Sequence, residues 1–300
     1  MTDGSAFPQW FLSAACGDDA FDAAYDGLSG ERRAWIKKTA AQLFEMSGAG
    51  DRRSSLAQTC WTQGFRSSVR TEPVDGALLL LDPSCGSAVR AAAAALPAVA
   101  SGVPSAAVCL GGDPVPDILA ALELCGLETV ALLDAGDVPR LVEHVMLGAV
   151  RLAVLVLGAG QACEEAAAMA FAAPGLRVWT PWTFPSPVAG PDFGIWAGDG
   201  AAWDLDLVAW AHAGHAVSVW TPPGESASGP LPGGMVAEQG GFDAFLAAGH
   251  RALLVPGRRA DQACGAADLV LGPGQEACWA WPGLTPDFFL RRRLRLDGGA

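Results

Sequence analysis

The sequence lacks long apolar segments and contains few charged residues, which make up 17% of its 300 positions. Apolar runs such as residues 77–81 and 152–157 are far shorter than the roughly 20 residues that a membrane-spanning helix needs. The opening residues 1–8 have neither the basic stretch nor the apolar core of a secretory signal. These absences argue against a membrane protein and predict a cytoplasmic one.

Paired cysteines are also missing. The eight cysteines stand singly, without any CxxC pair, and most of them lie within apolar segments. Zinc sites usually draw on more closely spaced cysteines, and disulfide frameworks belong to small secreted chains. The pattern therefore predicts buried free thiols and no metal site.

Basic charge is scarce as well, because the formal net charge is −13 at pH 7. The basic cluster of the sequence lies near its end and comprises Arg291, Arg292, Arg293 and Arg295. Nucleic-acid binders normally carry a basic patch, so this balance argues against nucleic acid and anionic membranes as partners. We interpret the cluster as a solvated strand or tail.

Apolar residues, in contrast, reach 51%. This composition excludes global disorder and predicts a large buried core, in one large or two ordinary α/β domains. It also favours a buried subunit interface, so we expect a homo-oligomer, in the simplest case a dimer.

Three segments differ in pattern. Residues 1–75 are predicted to form a helical N-terminal arm, in which Ser29 caps a helix that runs to about Phe44. Residues 76–186 alternate short apolar runs with helical patterns and predict a first α/β, Rossmann-like domain. Residues 187–300 repeat this alternation and predict a second, smaller α/β domain with a C-terminal tail.

Several strands of the first predicted domain are continuously apolar, which is typical of strands buried on both faces of a parallel sheet. The strands are predicted at residues 77–81, 106–110, 129–133, 152–157 and 176–180, and the helices between them at 87–100, 115–124, 138–146 and 162–171. This rhythm predicts an α/β fold with doubly wound, largely parallel sheets. The proline-rich residues 181–191 interrupt it, and the loop 222–234 is predicted to be mobile.

Two glycine-rich turns lie between predicted strands and helices, at residues 111–112 and 158–161, the latter with Gly158, Gly160 and Gln161. Helix N-termini bind anionic groups through free N–H donors, so both turns are candidate phosphate sites. Neither completes GxGxxG or carries the Walker lysine. A plain tight turn from strand to helix is the alternative interpretation.

Few side chains are candidates for catalysis. His212 and His215 are three residues apart at a predicted helix end, although Gly214 is expected to end the helix between them. They could supply a base or bind a metal, or they could be exposed histidines at a helix C-terminus, where positive charge is favoured. Cys278 could be a nucleophile, but without an identifiable partner histidine a structural role is favoured.

The order of segments resembles that of the histidinol dehydrogenase family, within the aldehyde/histidinol dehydrogenase-like superfamily. The family has a valine-proline-diglycine strand end, a proline-containing helix that ends in glycine-valine, a glycine-proline-glycine-asparagine turn, and an acidic turn before a helix. The matching segments are residues 80–83 (LLDP), 95–103 (ALPAVASGV), 118–127 (ILAALELCGL), 158–161 (GAGQ), 196–199 (WAGD) and 206–211 (DLVAWA). The resemblance implies a pair of α/β units, with NAD and zinc as ancestral ligands.

The functional motifs of that family are altered here. Its zinc-binding glutamine and histidine are replaced by Trp210 and Ala213, and its proline-glutamate-histidine acid–base motif does not occur in the sequence. Its diglycine-alanine-glutamine cofactor turn corresponds to residues 134–137, where Asp134 and Asp137 place carboxylates at the phosphate position. The resemblance therefore implies the fold, leaves NAD possible and indicates that zinc has been lost.

Three hypotheses follow. In the first, the chain is an NAD-dependent oxidoreductase of a small alcohol or aldehyde. The residues assigned to its site are Asp134, Asp137, Gly158, Gly160 and Gln161 around the cofactor, with His212 or His215 as the base. In the second, the chain is a catalytically inactive descendant that serves as a binding or assembly module, with exposed Trp279 and Trp281 promoting self-association. In the third, it is an unrelated enzyme whose site lies at the strand ends near Gly111 and Gly158.

Overall fold

The computed structural model describes residues 6–48, 54–112, 114–134, 136–147, 150–158, 160–173, 176–181, 191–225 and 229–298. The helices are α1 Gln9–Leu12, α2 Asp18–Gly27, α3 Gly30–Ser47, α4 Ala88–Ala100, α5 Pro116–Leu124, α6 Asp137–Leu147, α7 Gln161–Ala172, α8 Leu205–Ala211, α9 Phe242–Ala247 and α10 Ala260–Ala263. The strands are β1 Ser55–Cys60, β2 Phe65–Pro73, β3 Gly76–Leu81, β4 Ser105–Leu110, β5 Val130–Leu133, β6 Leu152–Leu157, β7 Arg177–Trp179, β8 Phe193–Trp196, β9 Val217–Thr221, β10 Met235–Gln239, β11 Ala252–Leu254, β12 Leu269–Leu271 and β13 Leu290–Gly298.

The first sheet contains the buried apolar strands β3 and β6; its strand order is β5-β4-β3-β6-β7, and all its strands are parallel. Because side chains alternate along a strand, β3 sends Leu79 and Leu81 to one face and Leu78 and Leu80 to the other. Helices α4 and α5 cover the first face, and α6 and α7 cover the second. Helices on both faces of a parallel sheet confirm the predicted doubly wound fold.

The second sheet is also entirely parallel and has the order β10-β9-β8-β11-β12. Its edge strand β10 is mostly exposed, so its sequence contains no continuous apolar run, and it is absent from the predicted elements. Residues 182–190 and 226–228 lie outside the described residues, and with them most of the proline-rich segment and part of the loop predicted to be mobile. Within the described ranges, no helix is both long and apolar enough to cross a bilayer.

A third sheet corrects the prediction of a wholly helical N-terminal arm. Helices α1–α3 are present, and Ser29 caps α3 by accepting a hydrogen bond from the Arg32 N–H at 3.2 Å. Beyond them, however, β1 and β2 form an antiparallel pair, and the basic tail joins β2 as β13. The strand period is visible in the alternation of arginine and leucine along β13, but its partner lies far away in the sequence.

Helix α4 lies at the centre of the molecule and is buried almost all around. Its alanines let it approach the first sheet, α3, α5 and α8 closely, since an alanine side chain needs little space. Ser87 caps its N-terminus by accepting a hydrogen bond from the Arg90 N–H at 3.2 Å. The same hydroxyl donates to the carbonyl of Ala211 on α8, which fixes α4 against the second α/β unit.

We expect Ala94→Leu to destabilise the protein by about 1–3 kcal/mol, because the added atoms must displace neighbours in a fully packed site. The matched control is Ala168→Leu on α7, where the side chain is exposed and the change should stay within about 0.5 kcal/mol. Urea unfolding of both variants measures the difference. Equal stabilities would contradict the tight packing of α4.

Candidate functional site

A cleft of about 610 Å³ lies between the two parallel sheets, where β3 and β6 of the first sheet end. Ligands of open α/β sheets bind at the carboxyl ends of the strands, so this cleft is the natural candidate for a functional site. Its polar and reactive lining residues are Ser84, Cys85, Arg90, Cys163, Glu164, Thr180, Asp192 and His215. Apolar side chains, with Trp281 among them, form the rest of its wall.

Arg90 is the buried cation of this cleft. Its side chain is 1% exposed, and its guanidinium stacks over the ring of Trp279 at 3.8 Å. Its Nε donates a hydrogen bond to Nδ1 of His212 at 3.4 Å, whereas its Nη2 has no hydrogen-bond partner in the described part of the chain. Burial lowers the pKa of Arg90 to about 9, so the group is still mostly charged at neutral pH.

His212 has both ring nitrogens engaged in the protein interior. Because an arginine Nε only donates, Nδ1 of His212 must accept, and Nε2 therefore carries the proton and donates to the Glu276 carbonyl at 3.2 Å. Burial, with Arg90 as a smaller cause, holds the pKa of His212 well below its usual range. The interpretation of His212 as an exposed, positively charged histidine is therefore wrong. Both of its ring nitrogens are engaged, so neither is free to bind a metal.

Helix α8 ends at Ala211, with His212 as its C-cap, so the helix ends earlier than the predicted stop at Gly214. Gly214 has φ +79° in the turn between His212 and His215. His215 is half-buried and lines the cleft. Burial, together with the smaller effect of the positive charge of Arg90, lowers its pKa to about 3. It is consequently neutral at physiological pH and a weak base.

The cysteines near the cleft are protonated thiols. Burial raises the pKa of Cys85 to about 11 and that of Cys163 to about 12. Cys278 lies elsewhere, in a groove between α3 and β12, and burial raises its pKa as well. Cysteine nucleophiles need a lowered pKa, so these environments suit structural thiols.

The turn after β6 is filled by a side chain from the neighbouring strand end. A Cβ at Gly158 would lie 2.2 Å from Cβ of Asp82, and one at Gly160 would lie 2.0 Å from Oδ2 of the same residue. Oδ1 of Asp82 accepts a hydrogen bond from the Ser84 N–H at 2.8 Å, which holds the carboxylate in place. Asp82 is thus a site residue that the sequence analysis treated only as a strand end.

The remaining predicted cofactor residues lie outside the cleft wall. Gln161 donates from Nε2 to Oε1 of Glu165 at 2.8 Å on the exposed side of α7. Asp134 follows β5, and Asp137 begins α6, with its N–H donating to the Asp134 carbonyl at 2.9 Å. These aspartates stand at the same edge of the sheet as Asp82.

The two tryptophans expected in an exposed tail are buried instead. Trp279 and Trp281 are 2% and 5% exposed, and their rings meet edge to face at 5.3 Å. Nε1 of Trp281 donates to the Arg90 carbonyl at 3.0 Å. The segment that carries them therefore helps to enclose Arg90.

Comparison of the sequence finds no matching family model and no significantly similar curated protein. The fold is nevertheless shared with solved structures. Histidinol dehydrogenase from Elizabethkingia anophelis aligns with a TM-score of 0.57 at 13% identity, over 97% of this chain and 79% of that chain. PutA from Anabaena variabilis, described as an aldehyde dehydrogenase, aligns with a TM-score of 0.53 at 12% identity, over 94% of this chain and 84% of that chain. The chain has the fold of histidinol and aldehyde dehydrogenases.

A dinucleotide phosphate fits poorly at the glycine turn that follows β6. At the edge of the first sheet, the side chain of Asp82 fills the space over Gly160, and its charge opposes a pyrophosphate. For zinc, the described ranges contain no group of three or more histidine, cysteine, aspartate or glutamate side chains that could hold a metal ion. Trp210, which the sequence resemblance aligns with the zinc-binding glutamine of histidinol dehydrogenases, donates from Nε1 to Oδ2 of Asp117 at 2.7 Å.

Titration of His215 should be visible in the stability of the protein. Since burial lowers its pKa to about 3 in the folded chain, the unfolded chain binds a proton below about pH 6.5 that the folded chain does not. The free energy of unfolding therefore falls as the pH falls through this window, by up to about 1.4 kcal/mol per pH unit for this group.

His215→Gln removes the contribution of His215 to the pH dependence of the free energy of unfolding. The other titrating groups are present in both proteins, so their effects cancel when the variant is subtracted from the wild type. Urea unfolding of wild type and variant should show the wild type losing its advantage progressively between about pH 7.5 and pH 5. A stability difference that stays constant over this range would show that His215 has an ordinary pKa.

Proposed function

We propose that this chain is a ligand-binding module on a dehydrogenase-type scaffold that no longer performs hydride transfer. The observation that carries the proposal is the position of Asp82, whose carboxylate lies over Gly160 in the turn that would accept a cofactor phosphate. A dinucleotide would have to displace this side chain, break its hydrogen bond to Ser84 and overcome its negative charge.

The protonation states of the cleft support the same conclusion. General acid–base catalysis works best with a group whose pKa lies near the working pH. The pKa of His215 is too low and the pKa of Cys85 is too high, each because of burial. His212 is fixed between Arg90 and Glu276, so it is not available to a substrate.

The alternative is an NAD-dependent oxidoreductase of a small alcohol or aldehyde, and it is favoured by the shared fold. In that case Asp134, Asp137 and the turn around Gly160 would face the cofactor, and His215 would be the base. The low pKa of His215 makes this role weak. We therefore rank it second.

Calorimetric titration of the full chain with NAD, with an active histidinol dehydrogenase as the positive control, tests the proposal. We expect no heat of binding at millimolar NAD, and no stoichiometric zinc by elemental analysis of protein purified without chelators. Saturable NAD binding together with NAD reduction by any small alcohol or aldehyde would overturn the proposal in favour of the oxidoreductase.

The antiparallel sheet suggests how copies of the chain associate. Its register places Val69, Leu294 and Leu296 on one face, and the two leucines are each 63% exposed. The opposite face carries Arg293 and Arg295. We propose that this face packs against the same face of a second copy, because a two-fold contact buries the exposed leucines of both copies at once.

Light scattering after size-exclusion chromatography should give twice the mass of one chain for the wild type. The double variant Leu294→Glu, Leu296→Glu should be monomeric, since it places four carboxylates in the interface of two copies. The matched control, Arg293→Glu with Arg295→Glu, changes the opposite face of the same strand and should remain dimeric. A monomeric wild type, or a dimer that survives the leucine changes, would rule out this interface.

A further inference from the structure

We propose that the cleft between the two parallel sheets binds a small organic monocarboxylate, with the carboxylate accepting a hydrogen bond from Nη2 of Arg90. The apolar body of the ligand lies against the aliphatic and tryptophan wall of the cleft. This inference rests on the proposed binding function and names the ligand class of the same site.

The first step of the argument is the unsatisfied charge of Arg90. A buried guanidinium normally pairs with a carboxylate and uses its fork of donors, because leaving a charge unpaired in the interior is costly. In the described part of the chain, Nη2 of Arg90 donates to nothing, although the side chain is only 1% exposed and lines the cleft. Trp279 supplies a π-face, which stabilises a cation but accepts no hydrogen bond from Nη2.

No carboxylate among the described residues of the cleft forms an ion pair with the guanidinium of Arg90. Asp192 also lines the cleft and attracts Arg90 from a distance. It lies close to another arginine, however, with its Oδ1 3.9 Å from Nε of Arg251. His212, which accepts from Nε of Arg90, is neutral and contributes no negative charge. An external anion is therefore the missing partner.

The wall of the cleft selects among anions. Val156, Leu157, Ala167, Pro181 and Trp281 present apolar surface, which suits a ligand with an apolar body. Glu164 and Asp192 on the same wall disfavour a second negative charge. A singly charged carboxylate with an apolar body meets both conditions, whereas a phosphate dianion meets neither.

The test uses the full chain and two probe acids of different shape, hexanoate and benzoate, followed by isothermal titration calorimetry. The matched probes are the neutral amides hexanamide and benzamide, which keep the apolar body and lose the charge, and inorganic phosphate, which keeps charge alone. We expect saturable binding of at least one acid, with its amide and phosphate at least about tenfold weaker, as for the loss of one charge-assisted hydrogen bond. Equal affinity for acid and amide, or no binding of either acid, overturns the inference.

Variants at Arg90 give a second readout. Arg90→Met keeps the unbranched apolar stem of the side chain and removes the charged guanidinium. The variant should abolish carboxylate binding while keeping or raising the thermal midpoint, because no unpaired buried charge remains. The control is Arg140→Met, which also removes an arginine stacked on a tryptophan, Trp10, but outside the cleft; it should bind as the wild type does. Unchanged carboxylate affinity in Arg90→Met contradicts the inference. If that variant fails to fold, the comparison of acids, amides and phosphate on the wild type tests the inference by itself.

The two proposals fail in different ways. Absence of carboxylate binding together with absence of NAD binding removes the monocarboxylate and leaves a binding module for another ligand. Binding and turnover of NAD remove the binding-module proposal, whatever the result with the acids.

Discussion

The structure depends on the burial of one positive charge at the junction of three parts of the chain. Arg90 belongs to α4, its Nε donates to His212 after α8, and its carbonyl accepts from Trp281 in the C-terminal segment. Burial of α4 on every side forces the guanidinium inside, where water cannot solvate it. The surroundings adapt to that charge, since the histidine beside it is neutral and a tryptophan ring faces it.

Much of the fold could be predicted from the sequence, because several strands of the first sheet are continuously apolar and are separated by helical patterns. β6 has its predicted bounds, and the neighbouring elements differ by small shifts at their ends. The pairing of β2 with β13 escaped prediction because the two strands lie far apart in the sequence, so neither strand carries a local sign of its partner. β10 escaped because an exposed edge strand needs no apolar run.

The candidate site was less accessible to sequence reasoning. The glycine turn at residues 158–161 and His215 were identified, but the side chain that fills the turn, Asp82, and the cation of the cleft, Arg90, were not. Both lie on other elements, and only folding brings them to the site. An arginine within an alanine-rich apolar helix was the available signal, because arginine is almost never fully buried without a partner.

The pairing of β2 with β13 also determines when the antiparallel sheet can be completed during synthesis. The β1–β2 hairpin is translated early, but on its own a two-stranded ribbon is marginally stable in water. Its second edge is covered only after the final strand has left the ribosome, long after the segments of the first parallel sheet are available. The hairpin therefore spends much of translation with an open edge, and this makes it the part of the nascent chain most prone to pair with a neighbouring molecule.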